Sequence, residues 1–291
     1  LYLIKRHPIA IETHFEFVFV LTYALPQEIL APLLPPGLTL DCHGDYGFVA
    51  AACVQTRNMR AKGGPRFFSE DFFLVGYRIF ARYKTSEGRN LRGLYILRSD
   101  TDRQILVFGG NIFTHYLYHH ARVGIDRTEK DKLVLSIKSD DGIGNVTLKV
   151  NLGETTEKTD TPLEKSPKDE REHPEDTDPT GILPPGSIFT SVRDAMKFAG
   201  PLPFTFSWER ETGSIIRVEG VRQKWRPRAV EAHVQQLSFL QQAPFNQCTP
   251  ILCSAFYIED IPYYWKAGIC EKVSLTAADT SSATNQERLE H

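Results

Sequence analysis

The chain has 291 residues, with 34 basic and 36 acidic side chains, a formal net charge of −2 and 41% hydrophobic residues. That length supports one large domain or two small ones around a well-buried core. The charge balance gives no chain-wide attraction to nucleic-acid phosphates or anionic lipid, and no apolar run approaches the roughly 20 residues that span a bilayer.

The first half is rich in strand signals. β-Branched and aromatic runs cover 15–23, 46–54, 72–83, 94–98, 104–108, 133–138 and 146–150, and glycine or Asp/Asn/Ser clusters divide several of them. In the 133–138 run, Leu133, Leu135 and Ile137 fall on alternate positions, so they share one face. One short helix is predicted over 26–34. Pro26 suits its first turn, Ile29, Leu30, Leu33 and Leu34 form an apolar face, and Pro35-Pro36-Gly37 stops it. Pro32 inside the segment limits it to a turn or two.

A polar stretch separates the halves. From Glu154 to Asp178 there are ten acidic and four basic residues, and no Phe, Tyr or Trp occurs between Asn151 and Ile188. Such a stretch buries too little apolar area to offset its ordering entropy, so 154–180 reads as a solvated insertion. The second half opens with a predicted helix over 186–199, capped by Ser187, with Ile188, Val192, Ala195, Met196 and Ala199 at helical spacing. Strand-like runs follow at 203–209, 214–219, 229–240 and 251–258, and the polar segment 274–291 reads as a tail ending in a tag-like Leu-Glu-His. No βαβ alternation appears. The expected fold is therefore a single α+β domain over 1–273, mainly antiparallel, with strands closing on themselves as a barrel.

Phosphate-cradling Gly-x-x-x-x-Gly-Lys, dinucleotide-binding Gly-x-Gly-x-x-Gly and the Gly-x-Ser-x-Gly elbow are all missing. Five scattered cysteines, Cys42, Cys53, Cys248, Cys253 and Cys270, read as thiols of a reducing compartment. With no leader pattern visible, they predict the cytoplasm. The densest chemistry lies at 111–122, where His115, Tyr116, Tyr118, His119 and His120 fall within six residues. As a helix, the segment places His115 and His119 on one face at metal-competent spacing. As a strand, it puts His115, Leu117 and His119 on one face and Tyr116, Tyr118 and His120 on the other. No carboxylate accompanies them before Asp126. A pocket wall titrating near neutrality, structural packing and a metal site all remain open readings, but no metal or cofactor is expected.

Two further segments carry a family resemblance. Leu30-Ala31-Pro32-Leu33-Leu34-Pro35-Pro36-Gly37-Leu38-Thr39-Leu40-Asp41, followed by Tyr46-Gly47-Phe48-Val49, resembles the opening of the family called domain of unknown function 2071, which is similar to acetoacetate decarboxylase. Gly109-Gly110-Asn111-Ile112-Phe113-Thr114-His115-Tyr116-Leu117-Tyr118-His119 sits where the decarboxylases hold their active lysine, and Trp225-Arg226-Pro227 resembles a later element of the fold. The resemblance implies an acetoacetate decarboxylase-like barrel with a pocket. The decarboxylases' Gly-Phe-Pro-Lys-Lys run, in which one lysine forms an imine and its neighbour's charge lowers its pKa, has no counterpart. No lysine occurs between Lys84 and Lys130.

The expected function is accordingly a lysine-less relative that binds a small organic ligand, a carboxylate or keto compound, in its pocket. His115, Tyr118 and His119 are the candidate acid–base groups, and Arg78, Tyr116, His120 and Arg122 the candidate ligand-binding groups. A non-catalytic ligand-binding or interaction protein on the same fold is the alternative. A remote lysine, Lys84 or Lys224, could still supply the amine. The expected partner is a small molecule, without nucleic acid or membrane, and assembly of several copies is allowed.

Overall fold

The computed structural model describes residues 2–127, 129, 131–153, 181–200, 202–222 and 227–273. The acidic insertion, the tail, Lys224 and Trp225-Arg226 lie outside them. The first-half strands are β1 (Ile11–Pro26), β2 (Leu38–Leu40), β3 (Tyr46–Ala61), β4 (Glu70–Lys84), β5 (Asn90–Thr101), β6 (Tyr118–Asp126), β7 (Lys132–Ser139) and β8 (Val146–Asn151). The second half adds β9 (Phe204–Glu209), β10 (Ser214–Arg222), β11 (Arg228–Ala229), β12 (Glu231–Leu237), β13 (Ile251–Trp265) and β14 (Ile269–Lys272). The helices are short: α1 (Gln27–Leu30), α2 (Gln104–Phe113) and α3 (Val192–Ala199). The chain is an α+β protein dominated by antiparallel strands.

Strands of both halves interleave in one sheet, in the order β12-β8-β7-β6-β5-β9-β10-β13-β1-β3-β4-β2. An additional β4–β5 pairing makes a hydrogen-bonded circuit of seven strands, β4-β5-β9-β10-β13-β1-β3 and back to β4. Most pairs are antiparallel, whereas β5 meets both β6 and β9 in parallel. The β5–β9 joint brings two distant segments together over Gly93, Leu94 and Tyr95 against Phe204, Thr205 and Phe206.

Alternation along each strand sorts its residues between two environments. On β4, Phe73, Val75, Tyr77, Ile79 and Ala81 enter the main core with Phe17 and Phe19 of β1. The intervening Phe72, Leu74, Arg78 and Phe80 face a cavity. A second cluster joins α3 to the sheet, with Phe48 and Phe189 stacked at 5.6 Å and Ala195 and Ala199 buried beneath.

Two local expectations change. The 104–108 run begins a helix and not a strand, because Ile105, Leu106, Gly109, Gly110 and Phe113 recur at helical spacing and turn one face to the cavity; a run of four apolar residues cannot reveal that period by itself. The cap of α3 is Ser191, whose hydroxyl accepts from the Asp194 N–H at 3.0 Å. Ser187 instead donates to the Cys253 carbonyl at 2.7 Å, anchoring the incoming loop to β13. The 26–34 segment forms α1 and a following 3-10 turn, as its proline content dictates.

The β5–β9 joint is sterically closed at Gly93, where an added Cβ would lie 2.6 Å from both the Phe204 carbonyl oxygen and the Phe206 ring. Gly93→Val is expected to cost about 1–3 kcal/mol, as overpacking does in cores, read as a lower urea midpoint. An unchanged midpoint would show that the joint does not constrain the ring.

Candidate functional site

Every strand of the seven-strand circuit contributes at least one residue to the wall of a single cavity of about 460 Å³. Volumes of this order suit small organic ligands. The hollow follows from side-chain size. Where the opposite face of β1 carries Phe17 and Phe19, the cavity face carries Val18 and Val20, and β3 adds Ala50, Ala52 and Val54. Residues 7–9, α2 and the turn after it complete the wall on one side, and Ala199, Gly200 and Leu202 contribute near α3.

The wall is mostly apolar but holds a concentrated polar group. Arg78 of β4 lies among Tyr116, Tyr118 and Tyr263. Its guanidinium folds back over Gly76, where an added Cβ would come within 2.8 Å of it, so the absent side chain makes its seat. Burial pulls the Arg78 pKa down and the neighbouring phenols pull it up, yet a guanidinium stays protonated in any protein environment. Its Nε has no hydrogen-bond partner, and neither has the Tyr116 hydroxyl. Among the described residues no Asp or Glu lines the cavity, and no lysine does. A second arginine, Arg222, reaches the wall beside Tyr263.

Burial raises the pKa of all three phenols, that of Tyr118 to about 12, against the downward pull of Arg78. They therefore stand neutral at pH 7 with hydroxyl protons to donate. Tyr118 is held by Asn111 of α2, whose side-chain amide donates to the Tyr118 carbonyl at 2.9 Å and accepts from its N–H at 2.8 Å. The Tyr118 ring sits against Gly110, in space that a side chain there would occupy.

Of the candidate residues read from the sequence, Arg78, Tyr116 and Tyr118 come together on this wall, while His115, His119, His120 and Arg122 lie outside it. The chain geometry explains the division. Residues 114–117 form a turn with Leu117 at φ 52°, and β6 begins at Tyr118. Alternation then sends Tyr118 inward and His119 to the other face, 3.8 Å from Asp141 in a cluster with Arg98 and Asp100. His120 pairs with Asp140 at 2.9 Å, Arg122 is exposed, and His115 faces the charges of Lys5, Glu209 and Arg6. Burial alone would raise the Asp141 carboxyl, but the hydrogen bonds from Arg98, the Ile143 N–H and Ser139 bring it down to about 2. Lys84 is exposed at the end of β4 and away from the wall.

Sequence reading missed His7, Tyr263 and Arg222. His7 lines the cavity at φ 53° with its Nδ1 buried and unpartnered, 6.5 Å between ring centroids from Tyr116. It is distant in sequence from the histidine cluster at 115–120. Only chain closure, through the His7 N–H to the Phe113 carbonyl at 3.0 Å, brings it beside α2. Among the described residues no group of three or more His, Cys, Asp or Glu is placed to hold a metal ion, and no helix is long and apolar enough to cross a membrane.

The fold class defined by this ring and cavity recurs in acetoacetate decarboxylase-like enzymes. The enduracididine biosynthesis enzyme MppR complexed with pyruvate matches with a TM-score of 0.55 at 10% identity, over 90% of this chain and 90% of that one. Acetoacetate decarboxylase from Legionella pneumophila gives 0.54 at 12% identity, over 91% and 88%. An acetoacetate decarboxylase-like enzyme from Sphingomonas wittichii RW1 gives 0.55 at 10% identity, over 91% and 93%. Identities this low establish the fold alone. Comparison with curated protein sequences gives no match. Residues 13–176 match the family of uncharacterized conserved proteins designated domain of unknown function 2071, and the chain belongs to that family.

Burial lowers the imidazole pKa of His7 and His115 from 6.5. A depressed folded pKa means that the unfolded chain takes up these protons first, so their contribution to stability is full above pH 6.5 and falls as the pH drops below it. The urea midpoint should therefore be lower at pH 5.5 than at pH 7.5, and His7→Gln should narrow the difference. A midpoint equal at both pH values would contradict the burial of these rings.

Proposed function

We propose that the protein binds a small organic carboxylate or keto acid inside the strand ring, with the carboxylate on Arg78 and hydroxyl donation from Tyr116 and Tyr118. The observation that carries this reading is a permanently charged guanidinium in a mostly apolar cavity whose described wall holds no acidic side chain. An uncompensated charge in such surroundings is costly, and a bound anion removes the cost. The carboxylate also accepts from the otherwise unpartnered Arg78 Nε and Tyr116 hydroxyl. MppR's complex with pyruvate, a small 2-oxo acid, supports a ligand of this class.

Chemistry in this cavity does not run through an imine. No lysine is among the described lining residues, and phenols and imidazoles do not replace an amine as the electron sink of a decarboxylation. Proton transfer, where the ligand calls for it, falls to Tyr118 and Tyr116 as neutral acids and to His7 as a neutral base. These groups share the cavity wall, whereas His115 and His119 do not. The free thiols of Cys42, Cys53, Cys248, Cys253 and Cys270 suit a reducing compartment, and we place the protein in the cytoplasm.

Isothermal titration with hexanoate and with pyruvate tests the binding reading. Arg78→Gln should weaken both by about tenfold to a hundredfold, the range for a hydrogen bond to a charged group, while unfolding stays cooperative. Equal affinity in the variant would remove Arg78 from the site. Borohydride reduction with pyruvate present should leave no adduct; a reduced adduct mapped to Lys84 or Lys224 would restore amine chemistry.

A further inference from the structure

The pairing of strands around Arg78 defines more of the ligand than its charge. The guanidinium rests at Gly76 of β4, and Gly76 pairs with Ala52 of β3, Ala52 with Val20 of β1, and Val20 with Phe256 of β13. The next cavity-facing row in the same direction is Leu74, Val54, Val18 and Ile258. Cross-strand partners point to the same face of a sheet, and apart from the glycine all the residues of these two rows line the cavity. Neither row has a polar side-chain atom. Gly76 seats the guanidinium and Ala52 beside it is the smallest lining residue of the two rows, so a trough opens over Ala52 next to the guanidinium and continues between apolar walls.

We propose that the ligand is an amphiphilic monocarboxylate whose head lies on Arg78 and whose unbranched apolar tail runs along these two rows. The inference rests on the anion reading above and sharpens it to a substrate class. A three-carbon acid leaves this trough unfilled, and a second carboxylate lying within these two rows meets only hydrocarbon. Tail burial then sets affinity and Arg78 sets polarity, so the site discriminates by chain length and by the absence of a distal charge.

The test is a titration series of butanoate, hexanoate, octanoate and octanedioate against the wild-type protein, Arg78→Gln and Ala52→Leu. Each added methylene should tighten binding by about fourfold until the trough is full, the equivalent of about 0.8 kcal/mol per buried CH₂. Octanedioate should bind about a hundredfold more weakly than octanoate. Ala52→Leu should weaken octanoate while sparing butanoate, and Leu74→Phe serves the same purpose if thermal melting shows the first variant unfolded. Binding of butanoate and octanoate with equal affinity, both lost in Arg78→Gln, would overturn the tail assignment and leave the anion site standing. Equal affinities for octanedioate and octanoate would overturn it too. A series that Arg78→Gln does not affect would overturn the anion site itself, and with it this inference.

Discussion

An arginine inside a protein cannot neutralise itself, so the structure around Arg78 is arranged to tolerate a fixed positive charge. The guanidinium has a seat over Gly76, three neutral phenols within electrostatic reach and an enclosing ring of strands. The other buried charged side chains among the described residues are paired inside the chain. Asp41, fully buried, takes Arg82 at 2.6 Å, and Arg98 is clasped by Asp100 and Asp141. Against those pairs, the described cavity wall sets no acidic side chain beside Arg78, and the proposed anion site rests on that contrast.

The ring makes that arrangement possible. Closing seven strands requires both halves of the chain, because β9, β10 and β13 come from the second half and β1, β3, β4 and β5 from the first. Closure removes the exposed strand edges along the circuit and turns one face of every strand toward a shared interior. Large side chains on the other face of β1 and β4, such as Phe17, Phe19, Phe73 and Tyr77, fill the main core, while Val18, Val20, Ala50, Ala52 and Val54 leave room on the cavity side of β1 and β3. The solved acetoacetate decarboxylase-like structures share this fold, and the described wall of the present cavity carries arginine and tyrosine.

Much of the fold was legible in the sequence because strand alternation and aromatic content are local signals. Runs such as 72–83 and 133–138 announce their two faces directly. The 104–108 run reads as a strand in sequence because Ile105-Leu106-Val107-Phe108 satisfies either period, and only Gly109, Gly110 and Phe113 beyond it reveal the helical face. At the site, Arg78, Tyr116 and Tyr118 were within reach of sequence reasoning, from a charged residue in an apolar strand and a dense aromatic cluster. The histidines of that cluster carry the same local signal as the tyrosines, because the turn at Leu117 that sets which residue points inward is a property of the folded chain. His7, Arg222 and Tyr263 carry no local signature. They reach the cavity only through long-range pairing, such as that of Arg222 with Tyr263 across β10 and β13.

The central claim is that Arg78 is the anion-holding group of this cavity. Nitrogen-15 NMR of the arginine Nε–H groups during titration with hexanoate addresses it most directly, with Arg78→Gln assigning the resonance. The account predicts that the Arg78 Nε–H signal moves downfield and saturates with the ligand, while those of Arg82, Arg92 and Arg98, already paired within the protein, hold still. A titration in which the Arg78 signal does not respond, or in which only those paired arginines shift, would contradict it.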